Sequence, residues 1–395
     1  MEMKVGIIGA SAAGLYSAIL LKRAHPDFEV TLFEKNDRVG KKLAATGNGH
    51  CNLLNRRLSY HHYHKSPLAK ALFAKYPYET LEKTLTEMGA CLISQGDLVY
   101  PMSYHAPSFV KFLLDTTTGL GVNIVLSKRL ISYKKKKGDQ YELVFEDESL
   151  LVDKVIFAIG AKSQKKFGSD GALFEVFAEH GYEITPFLPS LCPIKVKERV
   201  KSLSGLRHKA TVVALADEKP IYMEEGEVLF KDDGLSGIAI MNASSYLVRQ
   251  DKKKNLVVCL DLFPGFSTND LEELLLKTRK ANPKAFLSTV IEKPIQEFLM
   301  GYCKVFDANN LKNEDIHALV AGLKCLRFTY AGNYDFDQSQ VSIGGISAHC
   351  LTDHLESKKE KGVFFVGEAL DVDGLCGGFN LSFALASSLE VVNSL

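Results

Sequence analysis

Gly9, Ser11 and Gly14, spaced as G-x-S-x-x-G, with Glu34 twenty residues further on, are the residue types that seat a dinucleotide. Glycines let a turn bring its backbone close to a pyrophosphate, and the N–H groups of Ala12, Ala13 and Gly14, in the first turn of a helix, hold the anion at the positive end of its dipole. Ser11 stands where such a fingerprint carries its middle glycine; it is the smallest substitute and its hydroxyl can donate a hydrogen bond. An acid at the end of the next strand accepts from the ribose hydroxyls of an adenosine and disfavours a 2′-phosphate. The elements that must position these residues are legible too. Val5 to Ile8 is a short apolar run broken by Gly9, a helix opens at Ala12, and Glu29 to Phe33 reads as a second buried strand ending at the acid.

At 395 residues, with 46% hydrophobic residues, the chain is too long for one core and reads as two or three globular domains. Lys plus Arg number 48 and Asp plus Glu 47, a net charge of +1, so no global field recruits nucleic acid or anionic membrane. The runs Lys134 to Lys137 and Lys252 to Lys254 read as solvated hairpin and loop faces. The uncharged stretch Val5 to Leu21 is interrupted by glycines, carries its basic residues Lys22 and Arg23 on the far side, and is too short to span a bilayer. The expectation is a cytoplasmic protein. Eight scattered cysteines, without a C-x-x-C pair or metal-ligand spacing, are expected to be reduced thiols. The cluster His61-His62-Tyr63-His64 has no acidic or thiolate partner nearby in sequence and reads as an exposed turn before a helix opening at Ser66-Pro67.

Lys35 to Asn52, rich in Gly, Asn and Lys, follows the second strand as a loop placed to wrap the rest of a long cofactor. Gly40-Lys-Lys42-Leu-Ala-Ala-Thr46-Gly47-Asn48-Gly49-His50-Cys51-Asn52 resembles the G-[RK]-K-L-x-x-[ST]-G-x-G-[RH]-C-N stretch of a family of three-domain bacterial flavoproteins, which includes aminoacetone oxidases and NAD(P)H-dependent flavin reductases. The resemblance implies that Lys35, Lys42, Thr46, Gly47, Asn48, Gly49 and Asn52 run along the pyrophosphate and ribityl chain of an FAD. His50 stands where arginine is the more usual residue. Cys51 reads as a small buried residue packing near the flavin rather than as a redox thiol.

Leu130 to Lys135, Tyr141 to Phe145 and Leu151 to Phe157 read as a three-stranded meander, and the resemblance places the backbone at Leu130 against the adenine. Ala158-Ile159-Gly160 resembles the A-T-G segment closing this meander; Ile159 lacks the hydroxyl, so the expected roles there are those of the backbone. The second strong stretch is Phe365-Val-Gly367-Glu368-Ala-Leu-Asp371-Val-Asp373-Gly-Leu-Cys-Gly-Gly378-Phe379-Asn380, opening into an apolar helix from Leu381. It resembles the family's F-x-G-E-x-x-D-V-D-G-x-x-G-G-[YF]-N. That implies a second helix N-terminus at the cofactor, its dipole suited to negative charge at the flavin N1 and C2 carbonyl.

The expected fold class is α/β: a Rossmann-like FAD-binding domain from 1–188 and 340–395, an inserted β-rich domain from 189–262 and 326–339, and a small helical domain from 263–325. The absence of a second nucleotide fingerprint or a C-x4-C pair favours oxygen as acceptor over a dedicated NAD(P)H site. Resemblance to the streptococcal-type aminoacetone oxidases implies an FAD-dependent oxidase of small primary amines, turning aminoacetone into methylglyoxal, ammonia and hydrogen peroxide, with weak L-amino acid oxidase activity. The first alternative is an NAD(P)H-dependent flavin reductase of an activated double bond; the second is a flavin-containing platform for RNA or a partner protein, against which the balanced charge counts. The expected partners are thus a small amine and oxygen, with no nucleic acid, membrane or metal. Oligomeric state and a catalytic base are left open.

Overall fold

The computed structural model describes residues 2–251, 253–307 and 310–395; Met1, Lys252 of the second basic run, and Ala308 and Asn309 of the expected helical domain lie outside them. The chain forms two compact units, Met1–Pro189 with Gln340–Leu395, and Ser190–Ser339.

The first unit is built on a five-stranded parallel sheet in the order Val363–Phe365, Lys154–Phe157, Lys4–Ile8, Glu29–Phe33, Asn123–Val125. Parallel strands are covered on both faces, which is why these segments are nearly continuous apolar runs. The helices Ala12–Ala24 and Phe379–Ser394 lie against one another, and small residues let them meet. Ser388 Oγ donates to Ala13 O at 3.1 Å and Ser17 Oγ to Ser388 Oγ at 3.0 Å. Elsewhere the core is aromatic, with Phe157, Phe177 and Phe365 packed at centroid distances of 4.8 to 5.4 Å.

One strand expectation is corrected here. Leu151 to Phe157 is not continuous: Ser149–Val152 completes the antiparallel meander, while Lys154–Phe157 enters the parallel sheet. Asp153 makes the break, its N–H donating to Lys4 O and its carboxylate accepting from Lys4 N and Gln140. Two short strands, Leu92–Gln95 and Leu98–Pro101, form a hairpin that the sequence pattern does not reveal.

The second unit is a closed six-stranded barrel, in the order Ile194–Val196, Gly234–Ser236, Lys219–Phe230, Arg207–Ala216, Leu256–Asp261, Leu326–Asn333. Helices Thr268–Ala281, Lys293–Tyr302 and Asn313–Lys324 share its hydrophobic core through Leu271, Leu275, Ile295, Leu299, Ile316 and Leu319. The apolar runs Ile221 to Met223 and Val228 to Phe230 lie on one twelve-residue strand, because the intervening Glu224-Glu225-Gly226-Glu227 keeps the alternation, with Glu225 and Glu227 outward. Gly226 leaves room for the helix Ile238–Leu247, since a Cβ there would lie 3.1 Å from that of Ala239. The expectation of eight reduced thiols is also corrected: Cys259 and Cys325 form a disulfide, with Cα atoms 5.3 Å apart. Antiparallel pairing of Leu256–Asp261 with Leu326–Asn333 brings them together across 66 residues of sequence.

Within the first unit, the buried Glu390 carboxylate meets Lys75 Nζ at 2.9 and 3.0 Å and His354 Nδ1 at 2.7 Å. Burial by itself raises a carboxyl's pKa, but the hydrogen bonds from Lys75 and His354 outweigh it and hold Glu390 below its ordinary 4.5. A carboxyl whose pKa falls on folding contributes stability above its unfolded pKa, and this is lost as pH drops through the folded value. Glu390→Gln therefore lowers the melting temperature at neutral pH. Melts recorded over a pH series should show the gap to the native protein narrowing as pH falls below about 4.5.

Candidate functional site

The strand Lys4–Ile8 ends in Gly9, whose N–H donates to Phe33 O at 2.8 Å and whose φ of +102° only glycine adopts without strain. A Cβ at Gly9 would lie 2.4 Å from Ala158 O, and one at Gly14 would lie 1.8 Å from Gly9 O. No side chain fits at either position. The helix then begins at Ala12 as its sequence suggests, with Ser11 as N-cap, no side-chain hydrogen bond closing the cap and no acid in the first turn. Its first N–H groups are therefore left to a ligand or solvent.

Glu34 is buried at 7% exposure, its Oε2 accepting from Ala10 N at 2.9 Å and its Oε1 from Asn36 N and Nδ2 at 2.9 and 2.7 Å. The carboxylate is thus fixed beside the glycine turn. The chain leading to Leu130 passes the same place, since Lys128 N donates to Glu34 O at 2.8 Å; Leu130 itself is buried. Lys35 pairs with Asp170 at 2.8 Å, and Arg129 meets the other Asp170 oxygen at 3.3 Å.

The loop from Gly40 is tied to the same turn by Gly40 N donating to Ala10 O at 2.8 Å. Lys42 Nζ lies 2.6 Å from Glu368 Oε2 and 2.7 Å from Ser163 Oγ, joining residues 326 apart in sequence. Gly47, Asn48, Gly49 and Cys51 all have positive φ, a backbone that coils tightly and exposes its polar groups. Thr46 Oγ1 donates to Leu43 O within it. Cys51 is fully buried, and burial, opposed by its Thr46 contact, pushes its thiol up to about 12, so it carries no thiolate near neutrality. His50 Nδ1 lies 2.9 Å from Tyr104 O.

Ala158 N donates to Ile8 O, Gly160 turns with φ +71°, and Ile159 lies between them. Gly367, with φ +64°, sits where a Cβ would come within 2.9 Å of Ala13 Cβ, so the second motif touches the first helix directly. The helix Phe379–Ser394 starts after Gly378, again with no side-chain cap and no acid in its first turn. A Cβ at Gly378 would lie 2.7 Å from Leu54 O and 2.8 Å from the Asn52 side-chain amide, which places Asn52 against this helix start. The Asn380 side chain accepts from Gly374 N at 2.8 Å and donates to Gly374 O at 2.9 Å, pinning the loop, and Leu381 follows in the first turn. Asp373, at 5% exposure, lies with an oxygen 3.8 Å from His64 Nε2.

That last contact exposes what sequence reasoning missed. The turn His61 to His64 is exposed only at His61. Tyr63 is buried and donates its hydroxyl to Phe379 O at 2.6 Å, and the His62 ring stacks on Phe379 at 4.2 Å. Ser163 and Asp170 are likewise invisible as partners of Lys42 and Lys35, because separations of 121 and 135 residues leave no local signal. Among the described residues, no cluster of three or more His, Cys, Asp or Glu could hold a metal, and no helix is long and apolar enough to cross a membrane.

Two uncapped helix starts, glycine turns with no room for a side chain, and a buried carboxylate at the end of the second strand fit a dinucleotide that carries a further group at its far end. A family model described as the HI0933-like protein Rossmann domain matches residues 3–393. The chain belongs to the HI0933-like family. It is 30% identical over 398 residues to a 3-dehydro-bile acid delta(4,6)-reductase of Clostridium scindens, covering 97% of each chain. It is 25% identical over 413 residues to a ribosomal RNA dihydrouridine synthase of Haemophilus influenzae, covering 98% of this chain and 97% of that one. Among solved structures, 3-ketosteroid delta1-dehydrogenase from Sterolibacterium denitrificans aligns with a TM-score of 0.52 at 10% identity, covering 99% of this chain and 98% of that one, a likeness of fold alone. The HI0933-like chain is an FAD-dependent oxidoreductase.

The glycine turn and Glu34 supply the sharpest tests. Gly14→Ala drives a methyl into Gly9 O and should yield protein without bound flavin and with a lower melting temperature. Glu34→Ala removes the acceptor of a buried N–H and should raise the FAD dissociation constant about fivefold or more, in line with a buried hydrogen bond worth about 1 kcal/mol, as read by flavin fluorescence titration.

Proposed function

We propose that the protein uses FAD to add two hydrogens across an activated carbon–carbon double bond of a small molecule. The observation that carries this reading is the full-length similarity to two proteins whose names, a delta(4,6)-reductase and a dihydrouridine synthase, both denote saturation of a double bond. Bound FAD supplies the two-electron chemistry of hydride transfer at its isoalloxazine N5.

The chain's own residues bind and orient. In this reading the N–H groups of Ala12, Ala13 and Gly14, with the Ser11 hydroxyl, hold the pyrophosphate, and Glu34 accepts from the adenosine ribose with Leu130 at the adenine. Lys35, held by Asp170, orders the start of the loop. Thr46, Gly47, Asn48, Gly49 and Asn52 line the ribityl path, with the Lys42–Glu368 pair closing it and the backbone of Ala158, Ile159 and Gly160 beneath. Gly367, Asp373 and the start of the last helix at Gly378, Phe379, Asn380 and Leu381 face the flavin, where the helix dipole stabilises negative charge. The division into an FAD-binding domain at 1–188 and 340–395, a β-rich domain at 189–262 and 326–339 and a helical domain at 263–325 belongs to the same reading.

A second reading, oxidation of a small primary amine such as aminoacetone by oxygen, is favoured by the resemblance of residues 40–52 and 365–380 to flavoproteins that include such oxidases. Electron flow separates the two. Under anaerobic conditions NADH or NADPH should bleach the flavin, and an unsaturated 3-oxo steroid or a comparable enone should restore its colour. If aminoacetone alone bleaches it and peroxide is released in air, the oxidase reading replaces the reductase.

A further inference from the structure

The segment Tyr60–Tyr63 is a single turn of 3-10 helix, two of whose side chains, His62 and Tyr63, find partners on the Asp373–Phe379 stretch. His62 O accepts from Leu375 N at 2.9 Å. The His62 ring lies nearly parallel to that of Phe379, with centroids 4.2 Å apart and planes 12° apart. Its Nδ1, 3.2 Å from Ser59 O, fixes the ring's orientation from the other side. Tyr63 donates to Phe379 O, meets the Phe379 ring edge-on at 6.0 Å, and fills the space over Gly374, where a Cβ would lie 2.7 Å from its Cε1. The turn ends in His64 and Lys65, two successive non-glycine residues at φ +52° and +60°. Such backbone is unfavourable and persists where its surroundings over-determine it.

Phe379 is the first residue of the last helix, and the Tyr63 hydroxyl holds its carbonyl. We propose that His62 and Tyr63 are positioning residues of the cofactor site, setting the orientation of the Gly378–Phe379 helix start against the FAD. This rests on the reading above that the helix start faces the flavin. Two aromatic contacts and one buried hydrogen bond fix a peptide that glycines on its N-terminal side, Gly377 and Gly378, leave free to turn. His62 acts through its flat ring, and phenylalanine can take its place.

The test compares FAD affinity and the visible absorption band of the bound flavin in the full-length protein. His62→Ala should weaken FAD binding about threefold to tenfold, the range of one lost aromatic pair, and shift the flavin band. His62→Phe should return both to within about twofold of native, and Tyr63→Phe, which keeps the ring and loses the bond to Phe379 O, should reproduce the band shift. Native affinity and an unshifted band in His62→Ala, or a His62→Phe protein no better than His62→Ala, would overturn the proposal. Gly378→Ala serves as the reference: if it binds FAD normally, the helix start does not face the flavin and the underlying reading fails, whereas impaired binding there beside unaffected His62 and Tyr63 variants sinks the positioning role alone.

Discussion

The first unit depends on a near-contact between backbones. Gly9 O lies 1.8 Å from where a Cβ of Gly14 would be, Ala158 O 2.4 Å from that of Gly9, and Ala13 Cβ 2.9 Å from that of Gly367. Three strand ends and a helix start therefore converge with only main chain and alanine methyls between them. Such closeness is available only to residues without side chains, and it is what lets peptide N–H groups rather than flexible side chains face a ligand. Everything else around the site either holds these backbones in place or leaves them uncovered.

Electrostatics follows from that geometry. Neither helix start carries an acidic residue in its first turn or a capping side chain, so both positive dipole ends remain available. The acids at the site are each engaged. Glu34 is held by Ala10 and Asn36, and Glu368 by Lys42. An engaged carboxylate can still accept from a hydroxyl through its remaining lone pairs, and the Lys42 ammonium offsets the charge of Glu368. Cys51, fully buried with its thiol pushed upward, adds bulk without charge.

The second unit solves a different problem. A barrel of six short to medium strands removes exposed sheet edges, and the helices between Asp261 and Leu326 complete its core instead of forming one of their own. The Cys259–Cys325 link lies at the base of that helical excursion, where the chain leaves the barrel and returns to it.

The sequence by itself determined the local elements with strong punctuation: the strand before Gly9, the helix from Ala12, the strand ending before Glu34, and the Gly378 opening of the last helix. In each, hydrophobic period and glycine placement act over a few neighbouring residues, so the pattern is complete within a short window. FAD was legible for the same reason, through two such windows at opposite ends of the chain. Tertiary structure alone decided which side chains those windows meet. Lys42 reaches Glu368 and Ser163, Asn52 comes against Gly378, Asp153 divides one apolar run between two sheets, and His62 and Tyr63, polar enough to read as a surface turn, become the support of a helix start. Those outcomes hang on contacts between residues tens to hundreds of positions apart, whose free energy is absent from any local stretch and exists only once the chain has closed on itself.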